Sequence, residues 1–255
     1  SVSRVDRDGA PVNGTGPVDR IVASGLRNPF RIAYSDRTGL LFVSDVGQDE
    51  VESIEVVDPD VYANHGWPCW EGDVIGLAWQ TSVCRTLPLS ATTPALFSYR
   101  HSQTDVTPDD AGRCPETTAG NSISGLTHYR GTQGTSAYPT RFRDALFFSD
   151  YARQCIWYLA PDANGMPDPT QAHFFASGVG GIIDLEEGPD GSLYLIDINT
   201  SSIRRFRTLT PAPTNLAPTI TSMSAAPSTG DAPLQTRLTA TATDPDGTEL
   251  TFEWD

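Results

Sequence analysis

Apolar residues along this chain come in short runs closed by polar, acidic or glycine-rich clusters, the pattern of brief buried strands joined by turns. The stretch 25–69 shows it most fully. A polar loop, Arg27-Asn28-Pro29, leads into a predicted strand over 30–34, and the turn Ser35-Asp36-Arg37-Thr38-Gly39 follows. A strongly apolar strand over 40–43 then ends in Ser44-Asp45-Val46-Gly47-Gln48-Asp49-Glu50. A strand over 53–57 precedes the compact turn Asn64-His65-Gly66-Trp67-Pro68. Upstream, residues 1–8 read as a strand with Val2 and Val5 as its apolar positions, followed by a Gly/Pro/Asn-rich loop to about Pro17. No long amphipathic helical period occurs.

The pattern repeats. Leu40-Leu41-Phe42-Val43-Ser44-Asp45 matches Ala145-Leu146-Phe147-Phe148-Ser149-Asp150 and Ser192-Leu193-Tyr194-Leu195-Ile196-Asp197, each an apolar strand ending in Asp. A strand and turn precede each copy, and a strand containing Ile54, Ile156 or Ile203 follows. The three Asp residues are 105 and 47 residues apart, which predicts one diverged unit between the first two, near 94–99. Four-stranded units of roughly 40–50 residues are the signature of β-propeller blades. The chain is thus predicted to be all-β, with about four blades of a partial propeller. A ring short of blades would expose an apolar face, and the chain starts without Met and stops inside a strand pattern. It is expected to be a stretch of a longer protein.

The pattern changes near residue 208. A Pro/Thr-rich linker over 208–218 separates the propeller over 1–207 from a second unit over 219–255. There, strand alternation over 219–222, 234–241 and 250–254, with the turn Asp244-Pro245-Asp246-Gly247, predicts an immunoglobulin-like β-sandwich cut short.

Composition narrows the chemistry. The chain of 255 residues carries a formal charge of −15, and its 17 basic residues are all Arg. An acidic surface disfavours nucleic acids and anionic membranes, and the lack of Lys excludes a P-loop or a Schiff-base lysine. No apolar run is long enough to insert in a membrane. Cys69, Cys84, Cys114 and Cys155 include no C-x-x-C pair, which argues against structural zinc. Wide, even spacing suits two disulfides in an exported protein. Three pairings are open, and Cys69–Cys84 with Cys114–Cys155 is the expectation adopted, against four buried thiols in an intracellular protein. No G-x-S-x-G or H-E-x-x-H motif occurs, and His65, His101, His128 and His173 form no metal-ligand spacing.

The order of motifs resembles the glucose/sorbosone dehydrogenase family, soluble quinoprotein aldose sugar dehydrogenases built on six-bladed propellers. The matching pieces are Gly25-Leu26-Arg27-Asn28-Pro29, the 44–50 loop, Asn64-His65-Gly66-Trp67-Pro68, Tyr129-Arg130-Gly131, the 145–151 strand and loop, and Gly188-Pro189-Asp190-Gly191. Residues 215–255 resemble the start of a PKD domain. The resemblance implies a secreted bacterial protein that binds pyrroloquinoline quinone (PQQ) beside calcium. It further implies oxidation of an aldose at its anomeric carbon, with hydride passing to the quinone. It assigns Arg27, Asn28 and Asp49 to the cofactor, the carbonyls of Gly47 and Gln48 to calcium, and Glu50 to a second, structural calcium. These types suit the task, since Arg makes charge-assisted bonds to carboxylates and calcium takes hard oxygen ligands.

The departures are equally specific. The family's base histidine lies upstream of the Arg-Asn-Pro motif, and no His precedes Arg27 here. The catalytic base is therefore expected outside this chain, and the stretch alone is expected to be inactive. Ala152 stands at a lysine position, Gly181 and Ile183 at arginine positions, and His65 at a tyrosine position. The alternative implied is a propeller without redox chemistry, an extracellular scaffold that binds carbohydrate or protein. For Asp45, Asp150 and Asp197 the residues themselves favour turn capping. For Trp67 and Trp70 they favour packing against the Cys69 loop over stacking on a sugar.

Overall fold

The computed structural model describes residues 1–4, 20–114, 121–131, 134, 136–207 and 218–243. The chain forms two compact units, Ser1–Arg207 and Thr208–Asp255.

In the first unit β1 (Val2–Ser3) pairs antiparallel with β2 (Ile21–Ser24). Then β3 (Pro29–Tyr34), β4 (Leu41–Asp45) and β5 (Val51–Val57) form an antiparallel meander. The short β6 (Ala63–Asn64) returns to pair parallel with β2, and β7 (Trp70–Glu71) and β8 (Val74–Ile75) make a small hairpin. Next, β9 (Phe97–Arg100) joins β5 and completes a sheet in the order β3-β4-β5-β9. A second four-stranded meander follows: β10 (Ile123–Tyr129), β11 (Ala145–Asp150), β12 (Cys155–Pro161) and β13 (Pro167–Ser177). The last is three-stranded: β14 (Ile182–Glu187), β15 (Leu193–Asp197) and β16 (Ser202–Arg205).

These meanders are stacked like propeller blades. The first strands sit side by side, β10 lying against both β3 and β14. Three apolar cores fill the spaces between successive sheets. Val22 and Ala23 meet Val43 and Val57 in one. Phe42 and Ile54 meet Phe148 and Trp157 in the next. Tyr129 and Phe147 meet Ile182 and Leu185 in the third. A central sheet therefore buries both faces, which is why β11 reads as an unbroken apolar run. Its Leu146 and Phe148 serve one core while Ala145 and Phe147 serve the other.

One expectation is corrected here. Residues 94–99 do not make a separate diverged unit; Phe97–Arg100 is the fourth strand of the sheet that opens at Pro29. The long Asp-to-Asp spacing arises because the connector between β5 and β9 holds β6, the β7–β8 hairpin and a one-turn helix at Ser82–Arg85. Cys69 and Cys84 close this connector with a disulfide, Cα atoms 5.0 Å apart. A second disulfide ties Cys114 to Cys155 at the start of β12, Cα atoms 6.0 Å apart.

In the second unit β17 (Thr219–Ala226) pairs antiparallel with β18 (Arg237–Thr243). The first runs past the predicted 219–222, and the second is shifted from the predicted 234–241. The predicted strand over 250–254, the turn at 244–247 and most of the 208–218 linker lie outside the described residues.

Candidate functional site

The recurring strand-end Asp residues are capping groups. Asp45 accepts the backbone N–H groups of Arg27 (2.9 Å) and Asn28 (2.7 Å). Asp150 accepts those of Ser122, Ala152 and Arg153, together with the Tyr99 hydroxyl at 2.7 Å. Asp197 accepts those of Gly181 and Asn199. In each sheet a carboxylate at the end of the second strand thus fastens the loop that leads into the first. Burial pushes Asp45 up to about 6, against the lowering effect of the two N–H groups it accepts.

The loop 46–51 is held from beneath by Glu71. One carboxylate oxygen of this buried residue accepts the N–H groups of Gln48 (2.8 Å), Asp49 (3.1 Å), Glu50 (2.9 Å) and Val51 (3.0 Å). Burial alone would raise the Glu71 carboxyl, and those four donors bring it below its ordinary value. In a planar trans peptide the N–H and C=O point in opposite directions. The carbonyls of Gly47 and Gln48 share their peptide planes with the N–H groups of Gln48 and Asp49, so they point away from Glu71. Gly47 is required for this path, because a Cβ there would collide with the Val51 carbonyl.

Arg27 borders the loop. Its guanidinium donates from Nε to the Gln48 side chain at 2.8 Å and from Nη1 to the Val46 carbonyl at 3.1 Å, and it lies over the Trp67 ring at 5.7 Å. Nη2 has no partner among the described residues. Asn28, Asp49 and Glu50 are exposed. Arg27, Gly47 and Gln48 are therefore adjacent, with Asn28 and Asp49 next to them in the chain. Glu50 is engaged through its backbone, whose carbonyl accepts the His101 N–H at 2.9 Å. Among the described residues no group of three His, Cys, Asp or Glu side chains is arranged to hold a metal ion.

The remaining positions offer no free positive charge. Arg153, beside Ala152, is buried and donates to the carbonyls of Gln103 and Thr104 and to the Asn121 side chain. The space a side chain at Gly181 would enter is filled by Asn199 and Tyr151, which bond to each other at 3.1 Å. Ile183 is a half-buried residue of β14.

Two buried carboxylates that sequence did not single out, Glu52 and Glu55, each meet a histidine. Glu52, fully buried, accepts the N–H groups of Gly47 and Ile123 and bonds to His101 Nε2 at 2.8 Å. That bond raises the His101 pKa against the effect of burial. Glu55 and His65 face each other across the other side of β5, Oε2 and Nδ1 2.8 Å apart. An i, i+3 carboxylate spacing in a strand was the available signal, since alternation sends Glu52 and Glu55 to opposite faces. His128 is buried, stacked on Phe42, and held below its ordinary pKa by burial. Trp70 packs edge-on against Trp79 at 5.0 Å and donates to the Leu87 carbonyl at 2.9 Å, within the Cys69–Cys84 connector.

No protein-family model and no curated protein matches this chain. Solved structures do. The PQQ-bound form of aldose sugar dehydrogenase from Streptomyces coelicolor is 20% identical, covering 78% of this chain and 46% of that one, with a TM-score of 0.51. A putative oxidoreductase (glucose dehydrogenase) from Thermus thermophilus is 19% identical over 76% of this chain and 46% of that one, with a TM-score of 0.48. The apo-form of the soluble aldose sugar dehydrogenase from Escherichia coli is 17% identical over 74% and 47%, with a TM-score of 0.48. The chain spans about half the length of these structures, and the likeness is one of fold.

Proposed function

We propose that this chain is part of a secreted quinoprotein sugar dehydrogenase and carries one edge of its cofactor site. The substrate would be an aldose oxidised at the anomeric carbon. The fold shared with sugar dehydrogenases, which are oxidoreductases, supports the class. The observation that carries the reading is the loop 46–51, whose amides are gathered inward on Glu71 while the Gly47 and Gln48 carbonyls face outward beside Arg27.

The residues present fit a carboxylate-bearing quinone with calcium along this edge. Among the described residues one Arg27 guanidinium nitrogen is without a partner and can meet a carboxylate or quinone oxygen, and the exposed Asn28 amide adds a neutral donor. Gly47 and Gln48 supply outward carbonyl oxygens, the donor type calcium takes, with Asp49 as the adjacent anion. PQQ, when bound, supplies a two-electron acceptor for hydride. Arg27 and the carbonyl pair would orient it, and Trp67 stiffens Arg27 from behind. At the opposite edge Ala152, Gly181 and Ile183 bring no charge and the adjacent Arg204 is engaged by Asp197 at 2.7 Å, so binding is expected to be weak and calcium-dependent.

Two disulfides and an all-β first unit are compatible with an extracellular protein, and among the described residues no helix is long and apolar enough to cross a membrane. In this reading residues 1–207 are the propeller, 208–218 the linker and 219–255 the PKD domain. The missing basic residues favour a second reading, a propeller scaffold that binds carbohydrate or protein without redox chemistry. Equilibrium dialysis of the chain against PQQ, with and without calcium, separates them. Calcium-dependent uptake that falls about tenfold in Arg27→Ala, the loss of one charge-assisted contact, is expected. Absence of uptake with calcium present would exclude the cofactor reading for this chain and leave the scaffold.

A further inference from the structure

Glu52 is a buried carboxylate for which the cofactor edge has no direct use. Its side chain is closed to solvent, and three donors converge on it. Oε2 accepts the N–H groups of Gly47 at 3.2 Å and Ile123 at 3.1 Å, and Oε1 meets His101 Nε2 at 2.8 Å. The donors come from the loop after β4, from the first residue of β10 in the next sheet, and from just beyond β9. A buried carboxylate is costly unless donors answer it, and even then it adds little net stability. Its use is therefore geometric.

That geometry runs through one peptide. The Val46 carbonyl and the Gly47 N–H share a planar trans peptide and point in opposite directions. Glu52 holds the N–H end, and the carbonyl end accepts Arg27 Nη1 at 3.1 Å. Rotation of this peptide would carry away the oxygen that holds Nη1. The other bond of Arg27, from Nε to the Gln48 side chain at 2.8 Å, springs from the next residue of the same loop. Because Oε2 also takes the Ile123 N–H, the peptide is referred to the neighbouring sheet and not to its own loop alone. Just before Ile123, Ser122 is fastened to Asp150 and Asn121 holds Arg153, at the opposite edge.

We propose that Glu52 is a positioning residue: through the Val46–Gly47 peptide it aims the Arg27 guanidinium and registers that edge against β10. The use of this aim on a quinone carboxylate rests on the cofactor reading; the aim itself does not.

Two conservative variants separate reach from charge. Glu52→Asp keeps the charge but draws the oxygens back by one carbon. Glu52→Gln loses the charge but keeps an oxygen at full reach for Gly47 and Ile123, and its amide can face a neutral His101 ring. Nitrogen NMR of the whole chain, without cofactor, reads the Arg27 Nε–H. In Glu52→Asp, and in Glu52→Met, which has no oxygen, this proton should exchange about tenfold faster. In Glu52→Gln it should stay near the parent. The Arg31 Nε–H, bonded to Asp184 at 2.8 Å, should stay fixed throughout and so separates a local effect from general unfolding.

Dialysis against PQQ with calcium then reads the consequence. Glu52→Asp should weaken uptake about tenfold, and Arg27→Ala combined with Glu52→Asp should bind no more weakly than Arg27→Ala alone, because both remove one contact. The proposal is overturned if Arg27 exchanges at the parent rate in Glu52→Asp and Glu52→Met, if Glu52→Gln disturbs it as much as they do, if Arg31 changes alongside it, or if the two losses of uptake multiply. Should the parent take up no PQQ, the cofactor reading fails, and the Arg27 signal alone decides the positioning role.

Discussion

Glu71 should hold the loop 46–51 more firmly than any residue inside that loop. Its single oxygen accepts four successive N–H groups, and truncation to Ala strands all four at once. The Val51 N–H is buried and cannot recover a partner from water, which costs about 1–3 kcal/mol. Gln48, Asp49 and Glu50 are nearer to solvent, so their N–H groups rehydrate and add about 1 kcal/mol together. Glu71→Ala is thus expected to lower stability by about 2–4 kcal/mol, and Glu71→Gln, which keeps an oxygen acceptor without its charge, by about 1 kcal/mol. Urea unfolding followed by tryptophan fluorescence measures both. The pH dependence supplies a second readout. Because the folded Glu71 carboxyl lies below its ordinary 4.5, its stabilisation is present above that value and is lost as pH falls through the folded pKa. The gap between the parent and Glu71→Gln should therefore close in acid. A Glu71→Ala variant as stable as the parent, or a gap independent of pH between about pH 3 and pH 7, would refute the reasoning.

Three further outcomes are expected. Asp45, raised by burial to about 6, binds a proton more readily folded than unfolded, so its contribution to stability falls as pH rises from about 4 to above 6; carbon-13 NMR of the carboxyl should show the raised midpoint. Phe148→Ala should cost about 3–5 kcal/mol, read from the urea midpoint, because Phe148 is fully buried between two sheets and stacks on Trp157 at 5.5 Å. Replacing Cys114 and Cys155 by Ser opens a tie between positions 41 residues apart, and thermal unfolding should report a loss of about 2–4 kcal/mol.

Much of the blade architecture is legible in one dimension. The run Ala145–Asp150 is apolar at every position before Ser149 because adjacent side chains enter different cores, and the closing Asp recurs because each blade ends the same strand with the same cap. The place of the strand Phe97–Arg100 is hidden for an equally physical reason. Its pairing partner, β5, lies across a connector that the Cys69–Cys84 bridge folds back on itself, so sequence distance overstates spatial distance. The loop 44–50 stands out through its own residues, yet the group that shapes it, Glu71, belongs to a hairpin in that same connector.

Sequence by itself determined the strands, their turns and the capping aspartates, because these depend on side-chain alternation and on hydrogen bonds between near neighbours. Tertiary structure alone decided which buried charges meet. Glu52 turns to His101 and Glu55 to His65 because successive odd and even positions of β5 face different blades. Neither partner can be read from spacing, since a desolvated carboxylate is answered by whichever group the packing of whole sheets brings to it.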